Sequence, residues 1–291
     1  MQNKPPISII IPAFNEDSIV AQTISALQKE LNAQSIRYEI IAVNDGSSDK
    51  TKEILEKTPG IRLINHPYQK GYGASLKTGT EAAQNEWLLF FDADGQHNPK
   101  DISLFFEQTT DYEMIIGARN GYQGPAWRQP GKKLIRIVAS YLAERKIPDL
   151  NCGFRMIKKS LFLKYKHLFP DGFSLSTTST LVFIKESRNV KFIPIKIGKR
   201  VGKSSLKPYD GFRVLILVTK LIMLFDPLKI FLPVSLTGLF ASLAWMSYFL
   251  VTTDFSLIPK SSGFLFLSSL LIFLFGLLAD QIAAIRREIH E

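Results

Sequence analysis

The sequence predicts an α/β domain, with a mostly parallel sheet covered by helices on both faces, followed by an apolar two-helix hairpin. Three observations predict it. Short, continuously apolar runs alternate with helical periodicity from residue 7 to about residue 116, as expected of strands buried on both faces. The polar clusters Asn15-Glu16, Asp45 to Asp49 and Asp92 to His97 fall at the carboxyl ends of those runs, where open α/β sheets bind ligands. Almost all long charge-free runs lie after about residue 210.

Ile7 to Ile11 is a β-branched run closed by Pro12. The N-terminal MQNKPPISIIIP lacks a signal-peptide core and reads as the start of the fold. Ile19, Val20, Ile24, Leu27 and Leu31 recur at helical spacing. Tyr38 to Val43 is the second strand, and Asp49 can cap the helix carrying Ile54 and Leu55. Ile61 to Ile64 is a third strand, Ala74 to Gln84 a helix, and Trp87 to Phe91 a fourth strand running into Asp92-Ala93-Asp94. Asn98 and Pro99 open another helix as N-cap and first residue. Met114 to Ile116 and Phe192 to Ile197 complete the expected strands.

After the sheet, the pattern changes. Phe212 to Phe225 is apolar, with Arg213 and Lys220 near one face, which suits a helix lying in a membrane interface. Ile230 to Thr252 and Gly263 to Ala279 carry no charge and are of membrane-spanning length. Basic residues precede the first span, and Arg286 and Arg287 follow the second, so the positive-inside rule puts both ends in the cytoplasm. The competing reading is a pair of buried core helices. The expected organisation is a catalytic domain at 1–207, an interfacial helix at 208–227 and a hairpin at 228–291, with spans at about 230–252 and 263–282.

Composition narrows the partners. A net charge of +10 calls for an anionic partner: nucleic acid, lipid headgroups or a phosphorylated substrate. Aromatic residues do not interleave with the basic ones as a nucleic-acid stacking platform requires, so nucleic acid is not expected. The single cysteine, Cys152, excludes an internal disulfide framework and fits a reducing compartment.

Asp92 and Asp94, one residue apart at a strand end, can share a hard divalent cation with substrate phosphates, and Gln96 could add a third oxygen. The plain alternative is a solvated turn. Asp45 to Asp49 makes a turn and helix cap by default, and a base or ribose contact through Asp45 by hypothesis. Pro12 to Glu16 has the same two readings. Gly71-Tyr72-Gly73 is neither a dinucleotide fingerprint nor a Walker loop, since both lack their closing residues.

Taken together, IIIPAFNE (9–16), VNDGSSD (43–49), KGYGASLKTG (70–79), FFDADGQH (90–97), GAR (117–119), DLNCGFRMIKKSLF (149–162) and RVGKS (200–204) resemble the family 2 glycosyltransferases of GT-A fold. With the hairpin, the chain resembles the dolichyl- and polyprenyl-phosphate sugar synthases. The resemblance implies a metal-dependent transfer of a hexose, mannose or glucose, from a GDP- or UDP-sugar to polyprenyl phosphate, with inversion. Pro12, Asn15, Glu16 and Asp45 would line the nucleoside pocket. Asp92, Asp94 and Gln96 would hold Mg²⁺ or Mn²⁺ on the donor diphosphate, and Arg200 and Lys203 would grip phosphates from above. Arg119 and Arg128 would face the acceptor phosphate, with headgroup contact as the alternative for Arg128, Lys132 and Arg136. Asp149 would orient, with Arg155 as a candidate partner. The expected location is the cytoplasmic face of a membrane, and self-association through the hairpin stays open.

Gly172 to Val182 (GFSLSTTSTLV), where a catalytic base would be sought, contains no acid. A phosphate acceptor is already anionic at neutral pH, with a second pKa of about 6, and needs no base to remove a proton. The alternatives are a transferase with a sugar-hydroxyl acceptor, and a nucleotide-binding membrane scaffold without turnover.

Overall fold

The computed structural model describes residues 4–120, 136–137, 139–141, 143–198, 216, 219, 222–252 and 259–290. Contacts divide the chain into two compact units, residues 1–214 and 215–291.

The first unit holds seven strands: β1 (Ile7–Ala13), β2 (Tyr38–Asn44), β3 (Arg62–Asn65), β4 (Trp87–Phe90), β5 (Met114–Asn120), β6 (Arg155–Lys158) and β7 (Val190–Lys196). They form one sheet in the order β3-β2-β1-β4-β6-β5-β7. Six run in one direction, and β6 runs antiparallel between β4 and β5. The strands at the centre read as unbroken apolar runs because both faces are covered: Ile7, Ile9, Ile10, Ile11, Leu88, Leu89 and Phe90 are all fully buried.

The helices are α1 (Val20–Ala33), α2 (Thr51–Lys57), α3 (Tyr72–Ala82), α4 (Ile102–Phe106), α5 (Lys159–Tyr165) and α6 (Leu175–Lys185). On α1, Val20, Ile24, Leu27 and Leu31 form the buried face that their spacing predicts. Asp49 accepts from the Thr51 amide at 2.9 Å at the start of α2. Asn98 accepts from the Lys100 amide at 3.1 Å and opens a short 3-10 turn at Pro99–Asp101 that leads into α4.

Two elements depart from the sequence reading. β5 extends to Asn120 instead of ending near Ile116, because it pairs along its whole length with β7, Met114 opposite Val190 and Asn120 opposite Lys196. β6 was not expected. Its four residues, Arg-Met-Ile-Lys, are too short and too charged at the ends to announce a strand, and its pairing with β4 and β5 is entirely non-local.

The second unit contains two long helices, α7 (Leu228–Thr252) and α8 (Lys260–His290). Leu228–Thr252 and Lys260–Ile285 are long and apolar enough to cross a membrane. They pack against each other through small residues, with the Ser242 hydroxyl donating to the Ser262 carbonyl at 2.8 Å. Large apolar side chains such as Phe240, Tyr248, Phe264 and Ile282 point outward and are exposed. Buried core helices would hide them, so that competing reading fails. Most of the expected interfacial helix at 208–227 lies outside the described residues.

Candidate active site

The strand order places the topological switch point between β1 and β4, since β2 and β4 flank β1 on opposite sides. The crevice beyond the carboxyl ends of β1 and β4 is therefore the expected ligand site. The polar clusters converge there. After β1, Asn15 adopts a left-handed backbone with φ of 55°. Its side-chain oxygen accepts from the Ser48 amide at 2.8 Å, and its own amide donates to the Ser47 hydroxyl at 3.1 Å. The Glu16 amide donates to the Thr51 hydroxyl at 2.9 Å. Asn15 and Glu16 thus stitch the β1 loop to the β2 loop, beside half-buried Pro12.

Asp45 is buried, and its carboxylate is engaged by the protein. One oxygen lies 2.8 Å from His66 Nδ1 and accepts from the Lys70 amide at 2.9 Å; the other accepts from the Gly71 amide at 2.9 Å. Its work in this structure is to hold the start of α3. There Gly71, at φ of 110°, passes so close to the Asp171 carbonyl that a Cβ would sit 2.5 Å from that oxygen.

Asp92 stands at the centre of the edge. Its Oδ1 accepts from the Tyr72 hydroxyl at 3.0 Å, and its Oδ2 lies 3.4 Å from His97 Nε2. Burial pushes the Asp92 carboxyl up, but the His97 and Tyr72 hydrogen bonds and the Arg119 charge outweigh it and hold the group below the usual carboxylate range. Burial and the Asp92 charge push the Tyr72 phenol well up, so it stays protonated and donates. Asp94 accepts from the Gln96 amide at 3.1 Å. Gln96 clips this loop to the chain leaving β7: its carbonyl accepts from the Gly198 amide at 2.9 Å, and its side-chain amide donates to the Gly198 carbonyl at 3.3 Å. The chain thus leaves β7 against Gln96. Arg200, Lys203 and Arg128 themselves lie outside the described residues.

Arg119, near the end of β5, forms a bidentate pair with Asp149 at 2.6 and 2.9 Å. Burial works against both charges, yet the pairing prevails, raising the Arg119 pKa and lowering that of Asp149. The Asp149–Arg155 partnership considered from sequence is thereby corrected. Asp149 orients Arg119, and Arg155 hydrogen-bonds only neutral oxygens. Asp149 also accepts from the Asn151 amide at 3.0 Å. Burial pushes the Cys152 thiol up to about 12, which keeps it protonated and inert.

Asp149→Asn is expected to destabilise the protein by about 1.5–3 kcal/mol at pH 7, the usual range for a hydrogen bond to a charged group. The folded Asp149 pKa is depressed, so its contribution is complete above the unfolded value of about 3.9 and disappears as pH falls through the folded value. Melting temperatures of wild type and variant should therefore differ at pH 7, and the gap should narrow progressively as pH falls below about 3.9 and through the lower folded value. A gap that persists unchanged at low pH would sink the assignment.

Sequence reasoning missed Tyr72, His97 and Gly153. Only the aromatic between Gly71 and Gly73 and the histidine following Asp92-Ala-Asp94 could have signalled the first two. Gly153 lies within the DLNCGFRMIKKSLF stretch, but nothing in that stretch assigns it a role of its own. A Cβ there would lie 2.5 Å from Asp92 Oδ2 and 2.6 Å from the Tyr72 hydroxyl.

The mixed sheet of this order carries paired acids beyond the end of β4 and an arginine–carboxylate pair at the end of β5. Residues 8–166 match Glycosyl transferase family 2, and the chain belongs to that family. Residues 226–285 match the GtrB C-terminal hairpin. The chain is 31% identical over 209 residues to an uncharacterized protein of Methanocaldococcus jannaschii, covering 67% of this chain and 82% of that one. It is 31% identical over 172 residues to a dolichyl-phosphate beta-glucosyltransferase of Trichomonas vaginalis, covering 53% of each. It is 25% identical over 191 residues to an undecaprenyl-phosphate 4-deoxy-4-formamido-L-arabinose transferase of Pseudomonas fluorescens, covering 60% of this chain and 56% of that one. The chain thus spans just over half the length of these two named transferases. Among solved structures, it resembles the Mycobacterium tuberculosis glucosyl-3-phosphoglycerate synthase in complex with Mn²⁺, UDP and glucosyl-3-phosphoglycerate. That likeness has a TM-score of 0.58 at 16% identity, over 75% of this chain and 79% of that one, and speaks to the fold alone.

Proposed function

We propose that this glycosyltransferase moves a hexose from a nucleotide-diphosphate sugar to the phosphate of a polyprenyl phosphate, with inversion at the anomeric carbon. The observation that carries the reading is the helix α6, beside the Asp149–Arg155 segment: it offers buried hydroxyls at Ser176, Thr177, Thr178, Ser179 and Thr180 and no carboxylate base. A phosphate acceptor attacks without such a base, whereas a sugar hydroxyl needs one. The names of the Trichomonas and Pseudomonas relatives point to the same acceptor class. Glucose from UDP is the first donor to test, and mannose from GDP the second.

The donor set at the end of β4 fits a hard divalent cation. Asp92 is held ionised, Asp94 adds a second carboxylate, and Gln96 adjoins them. Oxygen donors of this kind suit Mg²⁺ or Mn²⁺ shared with substrate phosphates. Bound there, the ion would neutralise charge on the departing diphosphate. Pro12, Asn15 and Glu16 would border the nucleoside, with Asp45 fixing the loop beneath it. Arg119, aimed by Asp149, would meet the acceptor phosphate together with Arg128. Arg200 and Lys203 follow the Gly198 clip and would close over the diphosphate.

In this reading, residues 1–207 are catalytic, 208–227 lie in the interface and 228–291 anchor the chain, with both ends cytoplasmic. A polyprenyl tail cannot leave the bilayer without losing about 0.8 kcal/mol per CH₂, so the enzyme comes to the headgroup. Deleting residues 228–291 is expected to leave nucleotide binding intact and to lower transfer to long-chain acceptor at least about tenfold. Undiminished long-chain activity would sink the anchoring role.

The function itself is tested by incubating purified protein, Mn²⁺ and short polyprenyl phosphate with a panel of labelled nucleotide sugars. Label in the lipid phase is expected for one donor. Label attached instead to a glycan hydroxyl would overturn the acceptor assignment.

A further inference from the structure

Arg155 is fully buried, yet all five of its hydrogen bonds go to neutral oxygens. Its Nε and Nη2 donate to the Cys152 carbonyl at 3.2 and 2.5 Å. Its Nη1 donates to the Ser176 carbonyl at 2.8 Å, the Ser179 hydroxyl at 2.8 Å and the Thr180 hydroxyl at 3.2 Å. Burying a guanidinium without a directly bonded carboxylate is unfavourable, and an acid on α6 would have satisfied it better. Stability alone therefore does not account for the arrangement.

What the side chain does geometrically is bolt the turn at Cys152-Gly153 to α6. A second tie runs beside it, where the Thr177 hydroxyl donates to Asn151 Oδ1 at 2.5 Å. One end of this segment carries Asp149, which aims Arg119. The other end presses Gly153 against Asp92 and Tyr72. The segment from Asp149 to Phe154 is a brace between the two sides of the site, and Arg155 locks it.

We propose that Arg155 is a positioning residue for the transfer step. Held by the hydroxyl face of α6, it fixes the separation between the acceptor side at Arg119 and the diphosphate side at Asp92 without touching either substrate. This rests on the functional reading above in its two-sided geometry, and it does not depend on which acceptor is used.

The test compares Arg155→Lys, Arg155→Met and Thr180→Val with wild type in the full-length enzyme. Three quantities are read for each: the UDP dissociation constant with Mn²⁺ by calorimetry, transfer kcat to whichever acceptor wild type glycosylates, and hydrolysis of the donor by water. Lysine keeps the charge but cannot span Cys152 and α6 together. Arg155→Lys and Arg155→Met are both expected to lose transfer kcat by about 30-fold or more, the scale of a misplaced reacting group. Nucleotide affinity and donor hydrolysis should stay within about threefold, since neither needs an aligned acceptor. Thr180→Val removes one tie to Arg155 and the Thr180 bond to the Ser176 carbonyl, and should lower kcat severalfold with a fall in melting temperature smaller than that of Arg155→Met. Full transfer by Arg155→Lys would show that charge alone matters and overturn the proposal. So would parallel loss of nucleotide binding, transfer and melting temperature in all three variants, the mark of a merely structural role. A wild type that ignores polyprenyl phosphate but glycosylates another acceptor would overturn the functional reading and leave this comparison intact.

Discussion

Asp94→Ala is expected to lower sugar transfer about 10³-fold or more while the protein still folds. Asp94 stands four residues beyond the end of β4, at the switch point of the sheet, mostly buried at 8% exposure. Under the proposed reading it holds the ion that offsets charge building on the departing diphosphate. In a site shielded from water, loss of one such electrostatic partner is worth several kcal/mol in the transition state. The structural loss is smaller. Asp94 accepts from the Gln96 amide, a local turn contact worth about 1 kcal/mol. The two effects separate cleanly in measurement: transfer rate on one side, melting temperature on the other. Calorimetry adds a third readout, because UDP binding by the variant should no longer respond to Mn²⁺. A variant retaining a tenth or more of wild-type transfer would remove Asp94 from the metal set.

Gly153→Ala should be nearly as damaging, for a different reason. Its backbone is not in the left-handed region, so alanine is conformationally permitted, and only contact opposes it. The new Cβ would lie 2.5 and 2.8 Å from the two Asp92 carboxylate oxygens and 2.6 Å from the Tyr72 hydroxyl. Such separations cannot persist. Either Asp92 swings away from Tyr72 and His97, or the brace from Asp149 to Phe154 retreats. A displacement of about 1 Å at reacting groups is enough for a loss of about 10² in kcat/KM. The stability cost of overpacking is about 1–3 kcal/mol, small beside the catalytic loss. Transfer within threefold of wild type would mean that Asp92 has room this structure does not show.

How much of this was legible in the sequence can be judged element by element. The strands β1, β2 and β4 were readable because burial on both faces leaves an unbroken apolar run, a purely local signature. The α1 face was readable from its spacing, and the turns at Asp49 and Asn98 from side chains that bond their own neighbours' amides. The acids Asp92 and Asp94 were legible as a pair because they end an apolar strand. The two charge-free stretches of α7 and α8 announced themselves by length.

Tertiary structure alone decided the rest, and in each case the deciding contact is distant in sequence. β6 exists because β4 and β5 leave a gap that four residues from much later in the chain fill antiparallel. Asp149 chose Arg119, 30 residues away, over Arg155, six residues away, because β5 delivers the guanidinium to that loop. Arg155 became a buried bolt because α6 presents hydroxyls to it, and Gly153 has no room for a side chain because the same packing drives that turn against Asp92. Apolar periodicity and local hydrogen bonding are written in short windows of sequence. The partner of a buried charge, and the space beside a carboxylate, are set by which segments the fold brings together.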